Sequence, residues 1–193
     1  VLESRRDSTP RTAQGLVGIS WGGKLAVAAA ADRPELVDAT ALVCPGLQPR
    51  VGVTRRERLR IALAFLFNRR ALFPIPLADP ALFTEYPEGR KFIAEDPLSL
   101  RSATAGLLAA STFLDRRVKR DRTRVRGPLL LMLAGHDRIV DNEATLKYCR
   151  GMTSADLDVI EYPDGHHTLE FEPDPSRYAL DLAGWFDRKL PRT

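Results

Sequence analysis

The sequence predicts an α/β fold, a parallel sheet of about four strands interrupted by a helical insertion. Three observations carry this expectation. Short apolar runs that end in glycine or proline alternate with stretches of helical character, the pattern of strand–helix–strand units. The chain has 193 residues, 44% hydrophobic and 28% charged, which suits one folded unit, or one unit with an insertion, and excludes a disordered chain. The second and third strand candidates are separated by residues 48–126, far more than one crossover helix needs.

Leu16–Ile19 is apolar, ends in glycine-rich sequence and reads as a buried strand. Leu25–Ala31 is alanine-rich, a good helix former, and Asp32-Arg33-Pro34 stops it. Ala39–Cys44 is the second strand, closed by Pro45-Gly46. From about Gln48 to Gly127 the character changes. Thr54-Arg55-Arg56-Glu57 fits a capping box, in which hydroxyl and carboxylate satisfy orphan backbone donors, so a helix should run from there to about Phe67. Asp79-Pro80 and Asp96-Pro97 each place a capping carboxylate before a proline suited to a first turn, and a long helix from Pro97 to about Arg120 is expected. Leu129–Ala134, after Pro128, is the third strand. Asp141 caps a helix to about Arg150, with Gly151 as its stop. Leu157–Tyr162 is the fourth strand. Asp174-Pro175 opens a last helix whose Tyr178, Leu182, Trp185 and Phe186 form one apolar stripe, ended by Pro191.

The net charge of +4 is too small to imply nucleic acid. Apolar runs are no longer than Ile61–Phe67, too short to span a membrane. Two cysteines, Cys44 and Cys149, exclude a disulfide scaffold and a cysteine-built zinc site, and read as buried thiols. No secretory signal is visible, which points to a cytoplasmic protein. Gly22-Gly23-Lys24 lacks the spacing of a phosphate-binding loop, and no metal-ligand cluster is present, so neither cofactor nor metal is expected. Arg116–Arg126 is strongly basic, with Asp121 as its one acid, but no aromatic residue is interleaved for base stacking. It reads as a solvated edge, with an anionic surface as the alternative partner.

Gly18-Ile19-Ser20-Trp21-Gly22-Gly23 contains the pattern Gly-x-Ser-x-Gly between a strand and a helix. A sharp turn there would strain the serine backbone, and side chains two residues either side would collide, so Gly18 and Gly22 remove them. Gly23 would let the helix lie close to the strand. The turn would lift the Ser20 hydroxyl above the sheet, and the Trp21 backbone N–H, at the positive end of the helix, could stabilise an oxyanion. A glycine-rich turn with a solvated serine is the plainer alternative. A serine hydroxyl needs a base. The chain holds three histidines, and His166 and His167 follow the fourth strand, while Asp137 follows the third; Asp141 is better explained as a helix cap. Exposed loop histidines and a turn aspartate are the plainer readings of each alone. Together they make the order Ser, Asp, His, each just past a strand, which is far more specific than any one piece.

Gly-Ile-Ser-Trp-Gly-Gly, Gly-His-Asp-Arg-Ile-Val-Asp and Gly-His-His-Thr-Leu-Glu resemble the three signature segments of α/β-hydrolases, nearest to monoacylglycerol lipase and lysophospholipase-like enzymes. The resemblance runs from about Gly15 to Leu190. It implies Ser20 as nucleophile, Asp137 as acid and His167, rather than His166, as base. It implies a lipid-like acyl ester as substrate, and a helical lid at 48–126 that could touch a lipid surface. The core would then comprise 1–47 and 127–193. The family carries further strands before the nucleophile strand and a loop that supplies a second oxyanion donor. The expectation is therefore a piece of a longer protein, or a reduced form of the fold, poorly active by itself. Phe65, Phe67, Phe73, Leu77, Phe83, Phe92 and Phe113 either line an acyl pocket or form the core of the insertion. The competing reading of the whole is a non-catalytic binding module that keeps part of the fold.

Overall fold

The computed structural model describes residues 13–152 and 156–191. The first twelve residues of the range 1–47 lie outside them. The elements run β1 (Gly15–Ile19), α1 (Gly22–Asp32), β2 (Ala39–Val43), α2 (Arg55–Phe67), β3 (Leu72–Pro74), α3 (Pro87–Glu95), β4 (Ser102–Thr104), α4 (Ala105–Asp121), β5 (Leu129–Ala134), α5 (Asn142–Arg150), β6 (Leu157–Tyr162) and α6 (Ser176–Lys189). The main sheet has the order β1-β2-β5-β6 and every pairing is parallel. This is the expected α/β sheet, with strands four in number.

The alternation of side chains along β5 explains why the sheet is covered on both faces. Leu129, Leu131 and Leu133 join Ala26, Val27, Ala30 and Ala31 of α1 and Tyr148 and Cys149 of α5 in one core. Leu130, Met132 and Ala134 join Trp185 in a second core, against which Tyr178, Leu182 and Phe186 of α6 pack. The stripe expected on the last helix is thus the face that covers the sheet. The Trp185 indole donates to Asp158 Oδ2 at 2.8 Å, which anchors α6 to β6.

The stretch between β2 and β5 departs from the reading of its sequence. No helix starts at Pro97. The Asp96 carboxylate accepts from Leu98 N at 2.8 Å and closes a local turn. Residues 102–104 then pair with β3 in an antiparallel two-stranded sheet that no sequence pattern announced. The long helix begins only at Ala105, capped by the Thr104 hydroxyl, which accepts from Leu107 N. Asp79 does cap, accepting from Ala81 N, but it holds only the 3-10 turn Pro80–Leu82. Helix α3 was not foreseen, because its N-cap residue, Tyr86, makes no side-chain cap. The capping box at Thr54 and Glu57 is present in full. Among the described residues no helix is long and apolar enough to cross a membrane.

Candidate active site

The site begins at the turn from β1 into α1. Ser20 has φ +48°, in the left-handed region that a non-glycine residue enters only when its surroundings hold it there. Its N–H donates to Val43 O at 2.9 Å, and its carbonyl accepts from Gly23 N at 2.9 Å and Gly46 N at 2.8 Å. Close approach by the neighbours makes two glycines necessary. A Cβ on Gly18 would lie 2.6 Å from Ala26 Cβ, and one on Gly23 would lie 2.5 Å from Pro45 Cβ. Gly23 therefore makes room for the loop after β2 rather than for β1. Gly22 departs from the expectation, since a Cβ there meets nothing within 4 Å among the described residues. Trp21 N–H, at the start of α1, makes no hydrogen bond among the described residues.

Asp137 and His167 come from the loops after β5 and β6, at the same end of the sheet as Ser20. Asp137 is buried, and its Oδ1 accepts from Ile139 N and Val140 N, both at 2.8 Å. Its Oδ2 lies 2.8 Å from His167 Nδ1. A carboxylate can only accept, so Nδ1 carries the hydrogen and Nε2 is left as the acceptor. Nε2 lies 2.8 Å from Ser20 Oγ. The structure thus brings the three residues together in one hydrogen-bonded chain. His166 points elsewhere. Glu172 Oε1 accepts from both its backbone N–H at 2.8 Å and its Nδ1 at 3.0 Å.

The two loops are stitched to each other. Gly135 N donates to Tyr162 O at 2.8 Å and His136 N to Gly165 O at 2.9 Å. A Cβ on Gly135 would sit 2.0 Å from Pro163 O, so the close approach requires glycine there. The stretch between β2 and β5 reaches the site from the other side. The Phe83 ring meets the His167 ring edge-on with centroids 6.0 Å apart, and Phe83 O accepts from Thr168 N at 3.0 Å. Arg138 donates to Glu85 at 2.9 Å. Of the other aromatic residues singled out, Phe65 and Phe113 meet edge-on, Phe92 lies against Phe171, and Phe67 is 85% exposed.

Sequence reasoning missed two ties to α4, one from the N-cap residue of α1 and one from α1 itself. The Trp21 indole donates to Ser111 Oγ at 3.1 Å, and the buried Lys24 ammonium meets Asp115 at 2.6 Å. Pairings between distant helices leave no spacing signal. Part of the basic segment Arg116–Arg126 is paired within the chain. Arg117 pairs with Asp32, Arg120 with Asp121 at 2.7 Å, and Arg122 lies over the Tyr148 ring. Cys44 follows β2 with φ +41°. Burial, reinforced by the nearby Asp137 charge, pushes its thiol well up and keeps it protonated. Burial likewise pushes Cys149 up to about 12. Among the described residues no group of three or more His, Cys, Asp or Glu is placed to hold a metal ion.

A parallel sheet with a serine raised on a tight strand-to-helix turn, and an acid and a histidine on later strand ends, defines the α/β-hydrolase class. The chain belongs to the family described as serine aminopeptidase, S33, whose sequence model matches residues 1–174. Its fold is that of a monoacylglycerol lipase from Paleococcus ferrophilus, with TM-score 0.83 at 19% identity over 95% of this chain and 71% of that one. A soluble variant of monoglyceride lipase from Saccharomyces cerevisiae, solved with a substrate analogue, matches with TM-score 0.81 at 17% identity. That match covers 98% of this chain and 66% of the yeast one. The protein is thus a member of a serine hydrolase family.

Proposed function

We propose that the protein hydrolyses a carboxylic ester with an apolar acyl group through an acyl-enzyme. Ser20 Oγ attacks the carbonyl while His167 Nε2 takes its proton. Asp137 holds the imidazole in the required tautomer and stabilises the cation that forms. Trp21 N–H donates to the developing oxyanion at the start of α1. His167 then returns the proton to the leaving alcohol, and water, activated by the same imidazole, releases the acid. The residues 48–126 act as the lid, with Phe83 supplying apolar surface beside the imidazole. The observation that carries this reading is the unbroken chain from Ser20 Oγ through His167 to Asp137, with 2.8 Å at each link. An ester is favoured over a peptide because the wall that meets the imidazole is an apolar ring and the structural neighbours named above are lipases.

A fluorophosphonate probe tests the nucleophile. Labelling of the wild type, and none of Ser20→Ala, is expected. A folded protein that takes no label would leave the binding-module reading. Turnover of an aminoacyl anilide faster than that of a matched acyl ester would move the substrate class to amides, as the family description allows.

A further inference from the structure

We propose that His166 is a positioning residue whose protonation fastens the segment 83–85 to the loop that carries His167. Its effect on turnover rests on the hydrolase reading; the fastening itself does not. His166 is buried, and Glu172 Oε1 lies 3.0 Å from its Nδ1. A carboxylate can only accept, so Nδ1 carries a hydrogen and the proton that comes and goes belongs to Nε2. Nε2 is buried and makes no hydrogen bond among the described residues. It faces Glu85 Oε2 at 3.7 Å, too long for a hydrogen bond. That spacing suits two acceptors, the lone pair of a neutral imidazole and a carboxylate. Arg138 donates to the other oxygen, Oε1, at 2.9 Å and so already holds the carboxylate beside the ring.

Protonation turns Nε2 from an acceptor into a donor. A small approach of the half-exposed Glu85 side chain then makes a charge-assisted hydrogen bond. Glu85 stands two residues after Phe83, whose ring meets the His167 ring and whose carbonyl accepts from Thr168 N at 3.0 Å. The new bond therefore ties the same segment to the residue next to His167. The groups that face His166 are Glu172, Glu85, the edge-on ring of Tyr86 and, from the loop after β5, the edge-on ring of His136. Arg138 acts on it through Glu85, and His167 is engaged with Asp137 and Ser20. Histidine is the side chain that ordinarily changes charge between about pH 5 and pH 8, so the fastening should differ between neutral and mildly acidic solution.

Amide exchange at Thr168, whose N–H donates to Phe83 O, reads the attachment directly. After correction for the intrinsic pH dependence of exchange, its protection should be about tenfold greater at about pH 5.5 than at about pH 7.5. Glu85→Gln, at an exposed position, and His166→Gln should each abolish the difference, whereas His136→Gln should keep it. The ratio of kcat/KM for a long-chain ester to that for a short-chain ester should fall about threefold over the same interval, because the firmer Phe83 wall hinders the larger substrate. Glu85→Gln should hold the ratio constant; titration of His167 is common to both substrates and cancels. Thr168 protection indifferent to pH, a difference that survives Glu85→Gln, or one that His136→Gln removes overturns the proposal. A constant ratio in a protein whose Thr168 responds overturns the link to turnover. Should Thr168 respond while the protein takes no fluorophosphonate label, the hydrolase reading falls and the fastening stands. Should the label be taken while Thr168 does not respond, the reverse holds.

Discussion

β5 and α2 are both rich in large apolar residues, yet their surroundings are opposite. All six residues of β5 are buried. Of the thirteen residues of α2, only Ile61 is. The strand lies inside a sheet covered on both faces, so every position has a neighbour and apolar composition is what packing demands. The helix leans on α4, which satisfies one stripe and leaves the other unclaimed. The same kind of residue is therefore packed in one region and left exposed in the other. The proposed catalytic groups follow the division, since Ser20, Asp137 and His167 all sit on turns leaving the main sheet.

Kinetics give the largest expected contrast. Ser20→Ala or His167→Ala should lower kcat by about a millionfold, and Asp137→Asn by about ten-thousandfold, measured on a soluble ester. Leu66→Ala should leave that rate unchanged. A substantial rate in Ser20→Ala would remove the nucleophile from the strand end and break the division. Stability comes next. Leu131→Ala should cost about 3–5 kcal/mol in denaturant unfolding, and Leu66→Ala less than about 0.5 kcal/mol. Similar losses at both would mean that α2 has a partner within the protein. Thr54→Ala removes one half of a capping box and should cost about 1 kcal/mol. Amide exchange should locate that loss in α2 and leave β5 untouched.

The smallest effect concerns acid. The Trp185 indole, then Lys189, holds the half-exposed Asp158 carboxyl of the edge strand β6 below its usual pKa. The Thr54 backbone N–H, then its hydroxyl, does the same for Glu57 on α2. Both are depressed on folding, so each adds stability above the ordinary carboxylate pKa of about 4, lost as pH falls through the folded value. Asp158→Asn should flatten this part of the acid unfolding curve. Glu57→Gln should do the same on α2; both carboxylates are half-exposed, so water screens each and neither change should be large.

The core elements were legible almost to the residue because their ends are punctuated. Pro128 opens β5, Asp141 caps α5, and Gly151 closes it. The stretch between β2 and β5 was less so. Asp96-Pro97 has the composition of a helix start, but Asp96 spends its carboxylate on a local turn. Strands β3 and β4 each take three residues and find each other across α3, so neither shows an alternating pattern of useful length. In the site, the residues alone left His166 and His167 equal; the resemblance to a known family separated them. The structure gives the reason, since Glu172 turns His166 away from Ser20. The role expected of Gly22 failed because no side chain approaches it among the described residues.

The backbone stitching between the loops after β5 and β6 fixes how Asp137 and His167 sit relative to each other. Asp137 and His167 ride on segments that bond to each other through Gly135, His136 and Gly165. Phe83 and Glu85 hold the same region through one backbone bond, a ring contact and a half-exposed ion pair. The imidazole and its carboxylate form a preassembled cartridge. On the proposed hydrolase reading, displacing the Phe83 segment would leave the bonds between these two loops in place.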